Sequence, residues 1–290
     1  EWVWGVGIPH LFAQKRGIFP LPARKSIGTE VMLSEAQSLL EQAEEIFRAE
    51  PKLLHLPNSG KAIFVGDTHG DLEASRSIVE RYLSDNHKVV FLGDYVDRGE
   101  ASRENIHYLL SMKLKFPNDI ILLMGNHEGY IIKEFYPANF WLSLTETERE
   151  RYGQTLAQLP YAVSTPNGVI GVHGSLPDLE KLEDINTIET GDENWDQIVW
   201  GDFQDRSGDY LGGFWGRPQY GRDYFYRLMD QFQRTVLIRS HQPNANPIMF
   251  EKRCLTIFTS YAYLPIRTVA IVDLAQKRVE SIDDIVLEMV

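Results

Sequence analysis

The sequence predicts an α/β protein that opens with a largely parallel sheet, and three observations carry that expectation. Apolar runs at 62–65, 89–92 and 120–124 have strand length and are separated by helical patterns, the mark of strand–helix–strand units. No polar residue interrupts them, as expected of strands buried on both faces. Each run also leads into glycine and side chains that bind metals: Gly66-Asp67-Thr68-His69-Gly70, Gly93-Asp94-Tyr95-Val96-Asp97-Arg98-Gly99 and Gly125-Asn126-His127-Glu128. Open α/β sheets place their sites at carboxyl strand ends, so three such segments in register describe a site for two metal ions.

In chain order, residues 1–30 are rich in Pro and Gly and show no period. They read as an irregular arm whose Trp2 and Trp4 are expected to pack on the domain or on a partner chain. Ser34-Glu35-Ala36-Gln37 has the form of a capping box and starts a helix reaching about Glu50. Pro51 and Pro57 break the chain before the first strand. Helices follow the first two motifs at about 71–84 and 102–115, the second stopped by Phe116-Pro117-Asn118. Residues 129–160 read as a helical insertion, with a start at Thr145-Glu146-Thr147-Glu148 and an end at Leu159-Pro160. Strands at 161–164 and 169–172 flank Pro166-Asn167-Gly168, a hairpin signal. A polar stretch rich in Gly and Trp (191–223) and a helix near 223–233 follow. Strands at 235–238, 247–250, 255–258, 268–272 and 278–282 then make the second half mainly antiparallel. No repeat or flexible linker interrupts the chain, so one domain is expected: 1–60 as an arm and helix packed on the core, and 61–290 as the catalytic domain.

The 290 residues carry 41 acidic and 29 basic side chains, a formal net charge of -12. That balance disfavours nucleic acid as a partner, because a polyanion binder needs a basic face. Apolar residues at 43% are ample for a core. Cys254 is the sole cysteine, which excludes an intrachain disulfide and a cysteine zinc site; a reducing, cytoplasmic location is the expectation. Its place at the head of a strand-like run marks a buried structural thiol. No stretch approaches the roughly 20 apolar residues of a membrane span. The opening residues, broken by Gly and Pro and without a basic leader, do not read as a secretory signal.

Carboxylate, imidazole and amide together suit hard or borderline divalent ions such as manganese, iron or zinc. Asp67 and His69, two apart at a strand end, can face one side and share an ion. Asp94 on the neighbouring strand end can bridge two ions, and Asn126 adds a neutral carbonyl oxygen. The glycines permit unusual backbone angles and close approach of phosphate to the main chain. His173, followed by Gly174, and His241, in Arg239-Ser240-His241-Gln242, each end a strand run. Alone, either reads more readily as a hydrogen-bonded core histidine; beside three upstream motifs, both read as ligands.

Together these segments resemble the signature of the phosphoprotein phosphatase family of serine/threonine phosphatases, within the calcineurin-like metallophosphoesterases. That signature is G-D-x-H-G, G-D-x-V-D-R-G, G-N-H-E, His-Gly and Arg-Ala-His-Gln, the last differing here by one residue. The resemblance spans about residues 61–273 and leaves the first 60 unmatched. It implies the metallophosphoesterase fold: two mixed β-sheets packed as a sandwich flanked by helices, with a binuclear site at strand carboxyl ends. By position it implies one ion held by Asp67, His69 and Asp94, and another by Asp94, Asn126, His173 and His241. Manganese is the expected activator in vitro, with iron or zinc as alternatives. Hydrolysis would proceed by direct attack of a metal-bridging water or hydroxide, without a phosphoenzyme. His127 should point away from the ligands by strand alternation and, held by Asp97, would protonate the leaving alkoxide. Arg98 would bind phosphate with its planar fork. The family also implies a second arginine before a Tyr/Phe-Gly pair. Gly216-Arg217-Pro218-Gln219-Tyr220-Gly221 resembles that element in shortened form, which selects Arg217, with Arg222 as the fallback. Trp200-Gly201-Asp202 resembles the family's Trp-Ser-Asp rim element, and Tyr263 falls where it would overhang the site and bind substrate.

Two departures from the family suggest a prokaryotic member with its own substrate groove. Gly129-Tyr130-Ile131-Ile132-Lys133-Glu134-Phe135-Tyr136-Pro137 follows the third motif, and Ser175 stands where the family has glycine. The expected activity is hydrolysis of phosphoserine and phosphothreonine in proteins or peptides. A dinucleoside polyphosphate hydrolase is the first alternative, but Asp97 and Glu128 stand where its motifs carry Asn and Asp. A broad phosphomonoesterase, acting also on phosphotyrosine, is another. A scaffold without catalysis is disfavoured because no ligand is missing.

Overall fold

The computed structural model describes residues 27–84 and 86–290; the Trp-rich arm expected at the start of the chain lies outside the described residues. Helix α1 (Ile27–Ala49) precedes β1 (Leu53–His55), β2 (Lys61–Val65), α2 (Leu72–Tyr82), β3 (His87–Phe91), α3 (Ser102–Lys115) and β4 (Ile120–Leu122). The insertion supplies α4 (Asn139–Ser143) and α5 (Glu146–Leu156), followed by β5 (Ala162–Ser164) and β6 (Val169–Val172). Next come α6 (Glu193–Trp200), β7 (Asp202–Phe203), β8 (Tyr210–Phe214), β9 (Arg217–Tyr220) and α7 (Arg222–Gln231). Strands β10 (Val236–Arg239), β11 (Ile248–Met249), β12 (Cys254–Thr256), β13 (Thr268–Asp273) and β14 (Val286–Met289) complete the order.

One sheet runs β14-β13-β2-β3-β4, a second β1-β5-β6-β10-β12-β11, and a small third sheet β7-β9-β8. β2, β3 and β4 pair in parallel, as their unbroken apolar runs predict. Successive side chains on a strand face opposite ways, and burial divides accordingly. Ala62, Phe64, Val90, Leu92 and Ile121 meet Val163, Val169, Val236, Ile238 and Leu255 of the second sheet, which forms the interior of a sandwich. Ile63, Val65, Val89, Phe91 and Leu122 face the other way and join Leu40, Phe47, Ile106, Leu110 and Trp141 of the flanking helices. Both faces of these strands are covered, which is why they lack polar alternation.

Local signals act where the sequence places them. Asp71 caps α2 by accepting the Ala74 N–H at 3.1 Å, and Thr145 with Glu148 forms a full capping box on α5. The start expected at Ser34 is not one. α1 is already helical at Ile27, because serine is tolerated inside a helix and nothing before it forbids one. The second sheet is less antiparallel than expected: β10 pairs in parallel with both β6 and β12. Antiparallel pairing is confined to β5–β6, β11–β12, β8–β9 and the β2–β13–β14 edge. No strand forms at 278–282. Ser281 instead caps the 3-10 turn Ile282–Asp284, its side chain accepting the Asp283 N–H, and the strand comes later as β14. Burial pushes the Cys254 thiol up to about 12, in keeping with an inert structural residue. No helix among the described residues is long and apolar enough to cross a membrane.

Candidate metal centre

β2, β3 and β4 end side by side, and the loops that leave them contribute to a cleft of about 680 Å³. Its lining includes Asp67, His69, Asp94, Arg98, Asn126, His127, Arg217, His241 and Tyr263, while His173 is fully buried. The backbone is unusual here. Of ten non-glycine residues with left-handed φ among those described, five are His69, Asp94, Asp97, Arg98 and His241. Each such residue costs about 1 kcal/mol or more, which only a surrounding structure can impose. A β-carbon at Gly125 would strike the Asp94 carboxylate, and one at Gly93 would strike the Gly125 backbone. These glycines therefore bring one loop against the next; the sequence had suggested an approach of phosphate to the main chain.

Three of the histidines expected as ligands have one ring nitrogen tied to a backbone carbonyl. His69 Nδ1 lies 2.9 Å from Val96 O, His173 Nδ1 3.0 Å from Leu92 O, and His241 Nε2 3.1 Å from Trp200 O. A carbonyl only accepts, so that nitrogen carries the proton; in the neutral ring the other presents a lone pair. His173 Nε2 stands 3.1 Å from His241 Nδ1, 3.1 Å from Asn126 Oδ1 and 3.4 Å from Asp94 Oδ1. His69 Nε2 stands 3.6 Å from both Asp67 Oδ2 and Asp94 Oδ2. Asp94 thus turns one oxygen toward each group.

Acceptors gathered this closely favour a cation among them. Burial opposes charge on His69, yet the Asp67 hydrogen bond and the charges of Asp94 and Asp67 outweigh it and raise the imidazole to about 9. Burial opposes His173 as well, and Asp94 and Asp67 again raise it. His241 is pushed well below its ordinary value by burial and then by Arg217, His173 and Arg239, which keeps it in the neutral form that can ligate. Two triads bring donor atoms within 4.8 Å of one another: His69, Asp94 and His127, and Asp94, His173 and His241. The donor set fits two borderline divalent ions sharing Asp94. The first triad includes His127 and not Asp67, which turns Oδ2 toward His69 Nε2 at 3.6 Å while its Oδ1 accepts from the Ser240 hydroxyl and the His241 N–H at 3.3 Å.

His127 is not aimed by strand alternation, because β4 stops at Leu122 and His127–Gly129 is a 3-10 turn. Its N–H donates to Asp94 Oδ1 at 2.9 Å and its carbonyl accepts the Trp141 indole N–H at 2.9 Å. Its Nδ1 meets Asp97 Oδ2 at 2.7 Å, while Asp97 Oδ1 accepts the Phe140 N–H at 2.8 Å. Burial lowers the His127 pKa, and Asp94 and Asp97 work against that. Phe135 packs edge-on against the ring at 4.4 Å. Arg98 Nη1 donates to Pro137 O at 2.8 Å. Arg217 Nη2 donates to Asp202 Oδ1 at 2.7 Å and His241 O at 3.2 Å. Arg222 pairs with Asp205 and does not line the cleft, so the fallback is set aside. The Tyr263 ring lies 5.3 Å from that of His69 and 6.0 Å from the Arg98 guanidinium.

Sequence reasoning missed the residues that hold these side chains. Buried Glu128 accepts N–H groups of Asp94 at 2.8 Å, Tyr95 at 2.9 Å and Gly125 at 3.0 Å, which ties the second loop to the third. Burial, with the Asp94 charge, raises its carboxyl to about 7. Buried Arg239 donates to Gly174 O at 2.6 Å and Gly201 O at 3.1 Å, joining the His173 and Trp200 segments. Glu128 and Arg239 at least lie inside motifs; Trp141, whose indole holds the His127 carbonyl, and Asn139, whose Oδ1 accepts the Arg98 N–H at 2.7 Å, gave no signal.

The family profile for calcineurin-like phosphoesterases matches residues 60–245. A probable serine/threonine-protein phosphatase of Encephalitozoon cuniculi is 28% identical over 254 residues, covering 81% of this chain and 54% of its own length. Serine/threonine-protein phosphatase 5 of Rattus norvegicus is 29% identical over 243 residues, covering 79% of this chain and 49% of its own length. The chain spans about half the length of the curated relatives it matches. Among solved structures, a protein serine/threonine phosphatase from Saccharomyces cerevisiae superposes with a TM-score of 0.74 at 22% identity, over 88% of this chain and 89% of that one. That likeness establishes the fold.

Proposed function

Because the chain belongs to the calcineurin-like phosphoesterase family, we propose that it is a metal-dependent protein serine/threonine phosphatase, with residues 61–290 as its catalytic unit. The observation that carries this reading is the 2.7 Å pair of His127 and Asp97 beside Asp94. A metal cluster alone can hydrolyse many phosphoesters, but a serine or threonine alkoxide leaves poorly and needs a proton delivered to it. The names of the relatives, serine/threonine phosphatases, support the same substrate class.

Asp67, His69 and Asp94 would hold one ion and Asp94, Asn126, His173 and His241 the other, with manganese proposed as activator and iron or zinc as alternatives. Two such ions, when bound, supply Lewis acidity to the phosphoryl group and lower the pKa of water. The chain's own residues do the rest. Arg98 and Arg217 bind phosphoryl oxygens, each anchored through one nitrogen so that the rest of the fork can donate. Asn126 turns its oxygen to His173, leaving its NH2 for a phosphoryl oxygen. His127 Nε2 gives its proton to the departing oxygen, and Asp97 on Nδ1 fixes the ring and stabilises the imidazolium. Tyr263 covers the entry beside His69. A cytoplasmic site of action is proposed from the single buried thiol.

Initial rates on a phosphoserine peptide and on diadenosine tetraphosphate, both in manganese, test the reading. The peptide should be the faster substrate. Far faster turnover of the tetraphosphate would reassign the chain as a dinucleoside polyphosphate hydrolase.

A further inference from the structure

Behind His69 lies a second, wider groove of about 1050 Å³, lined by α2 and by Tyr261, Ala262 and Arg267. The loop 260–266 separates it from the metal cleft, with Tyr261 on the groove side and Tyr263 on the cleft side. The base of this loop is pinched: Thr259 and Arg267 form a bridge, and the Thr259 N–H donates to Asp67 O at 3.1 Å. Asp71 then grips the loop itself. Its Oδ2 accepts Arg267 Nε at 2.9 Å and the Tyr261 N–H at 3.2 Å, and its Oδ1 accepts Arg267 Nη2 at 2.7 Å. The guanidinium lies 4.0 Å from the Tyr261 ring centroid and also reaches Glu73 at 2.9 Å.

An exposed ion pair would contribute little. Here the two side chains are only 9% and 11% exposed, and the pairing is bidentate and stacked, which fixes direction as well as distance. Asp71 follows directly on the Asp67–His69 motif, so one short segment carries both the metal-facing side chains and the grip on the loop.

We propose that the Asp71–Arg267 clasp, with Tyr261 stacked upon it, is a positioning device: it holds the 260–266 loop so that Tyr263 stays beside His69 and Arg98, over the point where the phosphorylated side chain enters. The proposal rests on the phosphatase reading for its substrate, but the clasp is testable without it. Arg267 and Asp71 act through Tyr263 and touch no substrate.

The test is a double-mutant cycle on the manganese-loaded protein, with p-nitrophenyl phosphate and a phosphoserine peptide as substrates, paired with hydrogen exchange of the loop amides. Arg267→Gln should speed exchange across 260–266 and lower kcat/KM by about tenfold. Tyr263→Ala should cause a similar loss, and the double variant should be no worse than Tyr263→Ala alone. Arg267→Lys should recover only part, because an ammonium lacks the fork. Losses that multiply, unchanged loop exchange in Arg267→Gln, or unchanged kinetics in Tyr263→Ala would each overturn the proposal. If Arg267→Gln does not fold, Asp71→Asn, which keeps an oxygen for the Ala74 cap, carries the same expectations. Failure of the wild-type protein to turn over the phosphopeptide would count against the substrate reading, while the exchange and p-nitrophenyl phosphate arms still decide the clasp.

Discussion

The floor of the cleft and its rim are built by different rules. On the floor, Asp67, His69, Asp94, Asn126, His173 and His241 are all buried and fixed by backbone groups or by one another. On the rim, Tyr136, Phe214 and Trp215 are 70%, 59% and 88% exposed, and they come from the insertion and from the β8–β9 hairpin. The floor draws most of its donors from loops leaving three adjacent parallel strands, so its geometry follows from the sheet. The rim draws on segments that share no sheet with those strands. The buried donor cluster is therefore placed by the fold, whereas the exposed rim is placed by additions to it.

Substitutions should separate the two regions. The largest effect belongs to the floor. Asp94→Asn should lower p-nitrophenyl phosphate turnover by about 10³-fold or more, since one side chain serves both groups. Chelation should do the same to the wild-type protein and manganese should reverse it. Comparable activity in the variant would mean that Asp94 does not bridge. Glu128→Gln should come next, because three N–H groups share that carboxylate. Calorimetric titration should find manganese bound about 10–100-fold more weakly, with a stability loss of about 1–3 kcal/mol in thermal unfolding. Arg98→Ala and Arg217→Ala, at the boundary, should mainly raise KM, by about tenfold each; an unchanged KM and kcat would remove that arginine from the site. The rim should respond least on a small substrate. Trp215→Ala should leave p-nitrophenyl phosphate turnover within about twofold and stability within about 0.5 kcal/mol, and a larger loss would erase the distinction between floor and rim.

The same division governs what the sequence disclosed. The floor was legible because Asp67, His69, Asp94 and Asn126 sit in contiguous segments behind apolar runs, and His173 and His241 close strands of their own. The supports were not. Arg267 meets Asp71 from 196 positions away, a separation that no local pattern encodes. Glu128 looked like the end of a motif, and its task of gathering three N–H groups appears only when the loops are folded together. In the fold, the parallel strands β2 to β4 were readable from their composition. The direction of β10 was not, because it depends on how the chain crosses over rather than on the strand's own residues. β1 has three residues and β7 two, too few for any period to show.

The reading stands or falls on His127, held by Asp97, delivering a proton to a poor leaving group. The direct test is kcat/KM of wild type and His127→Gln on two substrates, a phosphoserine peptide and p-nitrophenyl phosphate, whose phenolate needs little protonation. The account predicts that the peptide rate falls about 10²-fold or more while the p-nitrophenyl phosphate rate falls far less. Equal losses on both substrates would contradict it.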